Sequence, residues 1–204
     1  MTIHSQPVTA RLSEPALDQL FRHARTHNGF KPDPIPDEDL QEIYDLVKWG
    51  PTTSNSQPLR ILFLRSQAAK ERLAPALSQG NRAKTMAAPV CALLAYDLNF
   101  YEHLPRTFAH NQEAKSWFEG QPALIEATAL RNSSIQGGYF IMAARALGYD
   151  CGPMSGFDNA KVDAEFFPDG HVKSNFLCNL GKGDWSKVMP RNPRFTFDEA
   201  CKIL

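Results

Sequence analysis

Four short clusters of polar and basic residues stand where the apolar patterning breaks: Arg25-Thr26-His27-Asn28, Pro51-Thr52-Thr53-Ser54-Asn55-Ser56-Gln57-Pro58, Asn81-Arg82-Ala83-Lys84 and Gly152-Pro153-Met154-Ser155-Gly156-Phe157. Guanidinium, ammonium, hydroxyl and backbone donors are the groups that hold an anion out of water. Taken singly, each cluster reads as a capped loop more readily than as a site. The common catalytic signatures are missing. Gly181-Lys182-Gly183 lacks the third glycine and the following helix of a dinucleotide fingerprint, and no stretch matches a nucleotide phosphate loop. Ser155 stands one position away from a nucleophile elbow, and Pro153 does not suit that strand-to-helix turn. Cys91, Cys151, Cys178 and Cys201 form no C-x-x-C pair, and three of them sit among apolar neighbours as small core residues. His23 and His27 have the spacing of a metal pair, but no glutamate accompanies them and Asn28-Gly29 stops a helix there; no metal is expected.

Mixed periodicities must position these clusters, which predicts a domain of both helices and strands without internal repeats. Leu12 to Ala24 reads as an opening helix capped by Ser13. Asp37 reads as the cap of a second helix, whose Leu40, Ile43, Tyr44 and Val47 share one face and which Gly50-Pro51 closes. Leu59 to Leu64, Pro89 to Ala95 and Val172 to Leu180 read as strands, with helical material from Gln67 to Thr85 divided at Pro75. Residues 99–121 are polar and aromatic without a period, the composition of a lid or binding loop. Ala123 to Leu147 is apolar on nearly its whole circumference, which predicts a buried central helix with close backbone packing at Gly137-Gly138. Phe197 to Leu204 reads as a terminal helix.

Bulk properties restrict the function classes. The 204 residues, 43% of them hydrophobic, fit one domain spanning 1–204 with a proper core. The 22 basic and 22 acidic residues cancel, so nucleic acid is not an expected partner. No apolar run approaches the roughly 20 residues that cross a bilayer, and the polar start Met1 to Gln6 lacks a signal-peptide core. No membrane partner and a cytoplasmic location are the expectations.

In order and spacing, the four clusters resemble the nitroreductase-like flavoproteins. The Arg-Thr-His-Asn-Gly, Lys-Trp-Gly-Pro-Thr and Gly-Pro-Met-Ser-Gly-Phe-Asp phrases resemble the malonic semialdehyde reductase branch. The likeness runs from Leu17 to Leu204 and includes Phe100-Tyr101-Glu102, Arg131-Asn132-Ser133-Ser134 and Ser174-Asn175. It implies an α+β fold with a mainly antiparallel sheet flanked by helices, an intertwined homodimer, and two identical sites that bind FMN in the cleft between protomers. NADH or NADPH is the implied electron donor. The implied acceptor is malonic semialdehyde, reduced to 3-hydroxypropionate in pyrimidine degradation. A broad nitro- or quinone reductase is the alternative within enzymes, and a non-catalytic flavin sensor is the alternative outside them.

By the same resemblance, Arg25 and Thr26 match the phosphate-binding stretch, which continues through His27 to Asn28, where the family usually carries a lysine. Arg191 matches a second basic contributor, with Lys187 and Arg194 as alternatives. Asn81 and Lys84 face the flavin edge where reduction builds negative charge. Pro51, Thr52, Thr53 and Asn55 reach the FMN of the partner protomer. Pro153, Met154, Ser155 and Gly156 lie against the ring, with a backbone N–H of Ser155 or Gly156 on N5. No side chain identifies itself as the proton donor, and hydride passing through the flavin predicts ping-pong kinetics. Arg106, His110 and Arg131 are the candidate cations for an acceptor carboxylate.

Overall fold

A computed structural model describes residues 10–204. The polar start Met1 to Gln6 lies outside the described residues. The chain opens on α1 (Glu14–Leu17), where the Ser13 side chain accepts from Ala16 N at 3.4 Å, and continues as a wider π turn over Asp18–Arg22. One continuous α-helix from Leu12 to Ala24 is therefore not formed. In α2 (Asp37–Val47) the cap is Pro36 rather than Asp37. Asp37, Glu38 and Asp39 instead fill the first turn, where carboxylates meet the positive end of the helix dipole.

After β1 (Leu59–Leu64), α3 (Gln67–Leu73) and α4 (Gln79–Ala87) are separated by a tight turn over Ala74–Ala76, the division that Pro75 predicts. There follow β2 (Val90–Asp97), α5 (Leu104–Thr107), α6 (Pro122–Ala146), β3 (Asp150–Met154), α7 (Asn159–Phe166), β4 (Val172–Gly181) and α8 (Phe197–Ala200). The last helix is shorter than the expected Phe197–Leu204, because Cys201 is already extended.

The four strands form one antiparallel sheet in the order β1-β2-β4-β3. Every residue of β2 is buried, which explains why that strand reads as an unbroken apolar run. On one face α2 and α6 close a core of Ile43, Val47, Leu94, Phe140 and Leu180; on the other, Leu73, Leu77 and Val162 pack on Leu93 and Leu177. The segment 99–121 has a small core of its own. Phe100 and Phe118 are buried edge to face at 4.9 Å rather than free to cover a ligand, while Trp117 remains exposed.

The helix α6 departs from the expected all-round burial. Its Ala129, Ser133, Gln136, Gly137, Phe140 and Ala144 are buried, whereas Leu124, Leu130, Ile135 and Tyr139 are exposed by 41–46%. At Gly137 a Cβ would lie 2.5 Å from the Phe176 ring, so glycine is required by close packing. Gly138 has open space beside it. Cys91, Cys151 and Cys178 are buried free thiols; Cys201 is an exposed one. Among the described residues no helix is long and apolar enough to cross a membrane.

Candidate functional site

Three of the four polar clusters converge on β3, the strap at its start and the other two at its end. The strap 25–28 runs alongside that strand, with Thr26 bridged to Cys151 and His27 N donating to Cys151 O at 3.0 Å. An extended segment alternates its side chains. Thr26 and Asn28 therefore face solvent while the His27 ring is buried, 1% exposed, on the side away from them. His27 belongs to the predicted set by position, but its side chain faces β3 and not the cavity its neighbours line.

That cavity is small, 170 Å³, and lined by Arg25, Thr26, Asn28, Met189, Pro190, Arg191, Asn192 and Arg194. Its arginines are oriented by carbonyl oxygens. Arg25 donates to Met189 O, Arg191 Nη2 to Arg22 O at 2.8 Å and Ala24 O at 3.1 Å, and Arg194 Nη1 to Asn192 O at 2.9 Å and Pro193 O at 3.1 Å. Carbonyl partners fix a guanidinium without neutralising it. Among the described residues none of the three is in an ion pair. Three unneutralised cations around one hollow suit a compact dianion. Of the two alternative cations, Arg194 lines the hollow, and Lys187 instead pairs with Asp184 at 3.5 Å.

From the hollow a polar rim continues along α4. Lys84 Nζ donates to Asn28 Oδ1 at 3.2 Å, placing an ammonium beside the position where the strap carries no lysine. One turn earlier, Asn81 Nδ2 donates to Gly156 O at 2.9 Å, and Ser78 N shares that acceptor at 3.1 Å. Thr85 Oγ1 lies 3.7 Å from Met154 Sδ. Residues 153–156 are thus tied to α4 as they leave β3. Pro153 is compatible with this strand because β3 is an edge of the sheet, paired to β4 on one side.

The fourth cluster lies elsewhere in the chain. Thr53 N donates to Asn132 Oδ1 at 2.8 Å, Asn55 Nδ2 to Thr107 O at 2.7 Å, and Gln57 N to Thr52 Oγ1 at 3.2 Å. These bonds bind the Pro51–Pro58 loop to α6 and α5, with none to the rim. Ser54, Asn55 and Gln57 have φ of 49°, 48° and 44°. Three non-glycine residues held in the left-handed region within four positions mark a loop whose shape is imposed by its surroundings, a pattern concentrated at functional sites. Asn132, 1% exposed, orients this loop and was visible in the sequence only as part of the Arg131–Ser134 phrase. Arg106 and His103 stand beside the loop in a 440 Å³ pocket that includes Ser56, Gln57 and Thr107.

A model of the nitroreductase family matches residues 21–181. The chain belongs to the nitroreductase family. A Ralstonia nicotianae relative, provisionally named an NADH dehydrogenase/NAD(P)H nitroreductase, is 58% identical over 193 residues, covering 95% of this chain and 98% of its own. A Stenotrophomonas maltophilia relative of the same provisional name is 57% identical over 94% of this chain and 97% of its own. Among solved structures, a provisionally assigned nitroreductase of Bacillus subtilis superposes with a TM-score of 0.85 at 23% identity, covering 94% of this chain and all of that one. Another, from Exiguobacterium sibiricum and solved in complex with FMN, superposes with a TM-score of 0.83 at 16% identity over 96% of this chain and all of that one. The antiparallel sheet flanked by helices is the nitroreductase fold, and the three converging clusters lie within or beside the matched span.

Proposed function

We propose that this nitroreductase-family protein is an FMN-dependent NAD(P)H oxidoreductase working as a homodimer. The observation that carries the reading is the rim itself. The Arg25–Arg191–Arg194 hollow fits a phosphate dianion, Thr26 and Asn28 line the way out of it, Lys84 and Asn81 offer an ammonium and an amide further along, and the 153–156 backbone closes the far end. Membership of the family, the names of close relatives and the FMN in a structural neighbour support the same cofactor and donor. When bound, FMN would supply the hydride chemistry between NAD(P)H and the second substrate.

The chain's own residues perform the binding and orientation. Arg25, Arg191 and Arg194 would hold the phosphate, and Lys84 would favour electron density at the pyrimidine edge. Gly156, whose carbonyl is already engaged by Asn81 and Ser78, presents its backbone beside the ring. The Pro51–Pro58 loop completes the site of a second copy. This assembly is supported by three surfaces left without cover among the described residues: the exposed stripe of α6, the outer edge of β1, and a C-terminal arm on which Phe195 is 81% and Ile203 84% exposed.

For the acceptor we infer a small aldehyde carrying a carboxylate, malonic semialdehyde in the chemistry of pyrimidine breakdown. Of the three cations considered for that carboxylate, Arg106 stands beside the Pro51–Pro58 loop. The relatives' names favour nitro compounds instead. Steady-state assays with malonic semialdehyde, a nitroaromatic and a quinone, each with NADH and NADPH, separate the two. Parallel-line kinetics with turnover of the aldehyde are expected; turnover of nitroaromatics and quinones without the aldehyde overturns the acceptor assignment. Purified protein that neither carries nor takes up FMN overturns the whole reading.

A further inference from the structure

The His27 ring is excluded from the cofactor hollow, yet its surroundings are specific. Nε2 lies 3.3 Å from Asp150 Oδ1, off the line of a direct hydrogen bond, and among the described residues neither ring nitrogen has another partner. Asp150 Oδ2 accepts from Gly183 N at 2.8 Å, so one carboxylate faces both the strap and the turn that follows β4. Trp185 closes the remaining side, edge to face at 5.1 Å. Both glycines nearby are demanded by this packing. A Cβ at Gly183 would lie 2.1 Å from His27 Nδ1, and one at Gly152 would lie 2.5 Å from the His27 carbonyl oxygen. Backbone bonds continue the seam: Asp184 N donates to Gly29 O at 3.0 Å and Lys31 N to Lys182 O at 2.8 Å.

A two-sided strap has a register problem. A slip of one residue moves each donor by about 3.3 Å along the strand and turns Thr26 and Asn28 inward. Backbone bonds repeat from residue to residue and do not resist that slip by themselves. A single buried ring fitted to one carboxylate and one glycine does. We propose that His27 and Asp150 are positioning residues: seated in the notch formed by Asp150, Gly183 and Trp185, the ring sets the register of strap 25–28 on β3. It thereby sets the separation between the phosphate hollow and the Pro153–Gly156 backbone at the other end of that strand. The inference rests on the FMN reading above and adds to it two residues that touch no part of the cofactor.

Comparison of two ligands isolates the effect, because riboflavin has the ring and ribityl chain of FMN but no phosphate. The full chain and its His27→Ala, His27→Gln and Asp150→Ala variants are titrated with FMN and with riboflavin, reading the quenching of flavin fluorescence, with thermal midpoints as a check on folding. Loss of register costs phosphate contacts. His27→Ala and Asp150→Ala are therefore expected to weaken FMN binding by about tenfold or more while changing riboflavin binding by less than about twofold. His27→Gln, which returns an amide nitrogen near the Nε2 position, is expected to recover most of the loss. Equal losses for both ligands, or none for either, overturn the register role, as does a glutamine variant no better than alanine. Should His27→Ala fail to fold, Asp150→Ala at a 29% exposed side chain carries the comparison. Wild-type protein that binds neither ligand defeats the FMN reading instead, so the two failures are distinguishable.

Discussion

His27 also sets a pH limit on the folded chain. Burial pulls its pKa below the ordinary 6.5; Arg25 acts in the same direction, while Asp150 and Asp184 oppose it. A histidine whose folded pKa is lowered contributes stability that is complete above its unfolded pKa and is lost as pH falls through the folded value. The neutral ring is therefore the folded form above about pH 6.5, and acid must charge it inside the notch. Thermal midpoints of the wild type and of His27→Gln, followed from pH 8 to 5, are expected to converge as the pH drops below that value; a gap that stays constant shows that folding does not lower the pKa of the ring. The same residue shows what the sequence conceals. Arg25-Thr26-His27-Asn28 displays four polar types in a row, and only the extended backbone assigns alternate members to opposite sides. Lys84 likewise reaches Asn28 from another element, at 3.2 Å, a proximity between residues 56 apart that no local pattern reveals.

Elements with strong patterns were legible, and those formed by exception were not. The strands β1 and β2 are apolar runs bounded by breakers, β4 falls where Val172 to Leu180 reads as a strand, and Pro75 divides α3 from α4 where it must. β3 escapes a sequence reading because Gly152 and Pro153 are poor strand residues; the edge position and the close approach of the strap make them acceptable. The pairing of α6 with the sheet is tested at Gly137. A methyl group there meets the Phe176 ring at 2.5 Å, inside van der Waals contact, and the helix must lift or the ring must turn. Overpacking of this kind costs roughly 1–3 kcal/mol, outweighing the gain of up to about 1 kcal/mol from replacing a helical glycine. Gly137→Ala is expected to lower the denaturation midpoint at unchanged slope, and the smaller Phe176→Leu background to absorb much of that loss. Additive effects in the double variant would show that the contact is not the cause.

At the scale of the whole molecule, one chain leaves the residues assigned to the proposed site in two places. The arginine-lined hollow and the rim lie at β3 and α4, whereas the strained Pro51–Pro58 loop is tied to α6 and α5. The sequence shows both sets of residues but not their separation, and α6, read as buried all round, has an apolar stripe exposed in the isolated chain. Leu124, Ile135 and Tyr139, which share one side of a helix already packed on its other face, form the kind of patch that a partner covers. In the proposed dimer a second copy seated there would place its loop against the first copy's rim, and cofactor binding and dimerisation would be one linked equilibrium. Ile135→Asp, on the exposed stripe, puts a charge into that contact without touching the hollow. Light scattering is expected to show a wild-type mass of two chains and a variant mass of one, and the monomeric variant is expected to keep its fold by circular dichroism while losing FMN. A wild type of single-chain mass that holds FMN refutes the linkage, because the rim alone would then suffice; a dimeric variant places the interface away from Ile135.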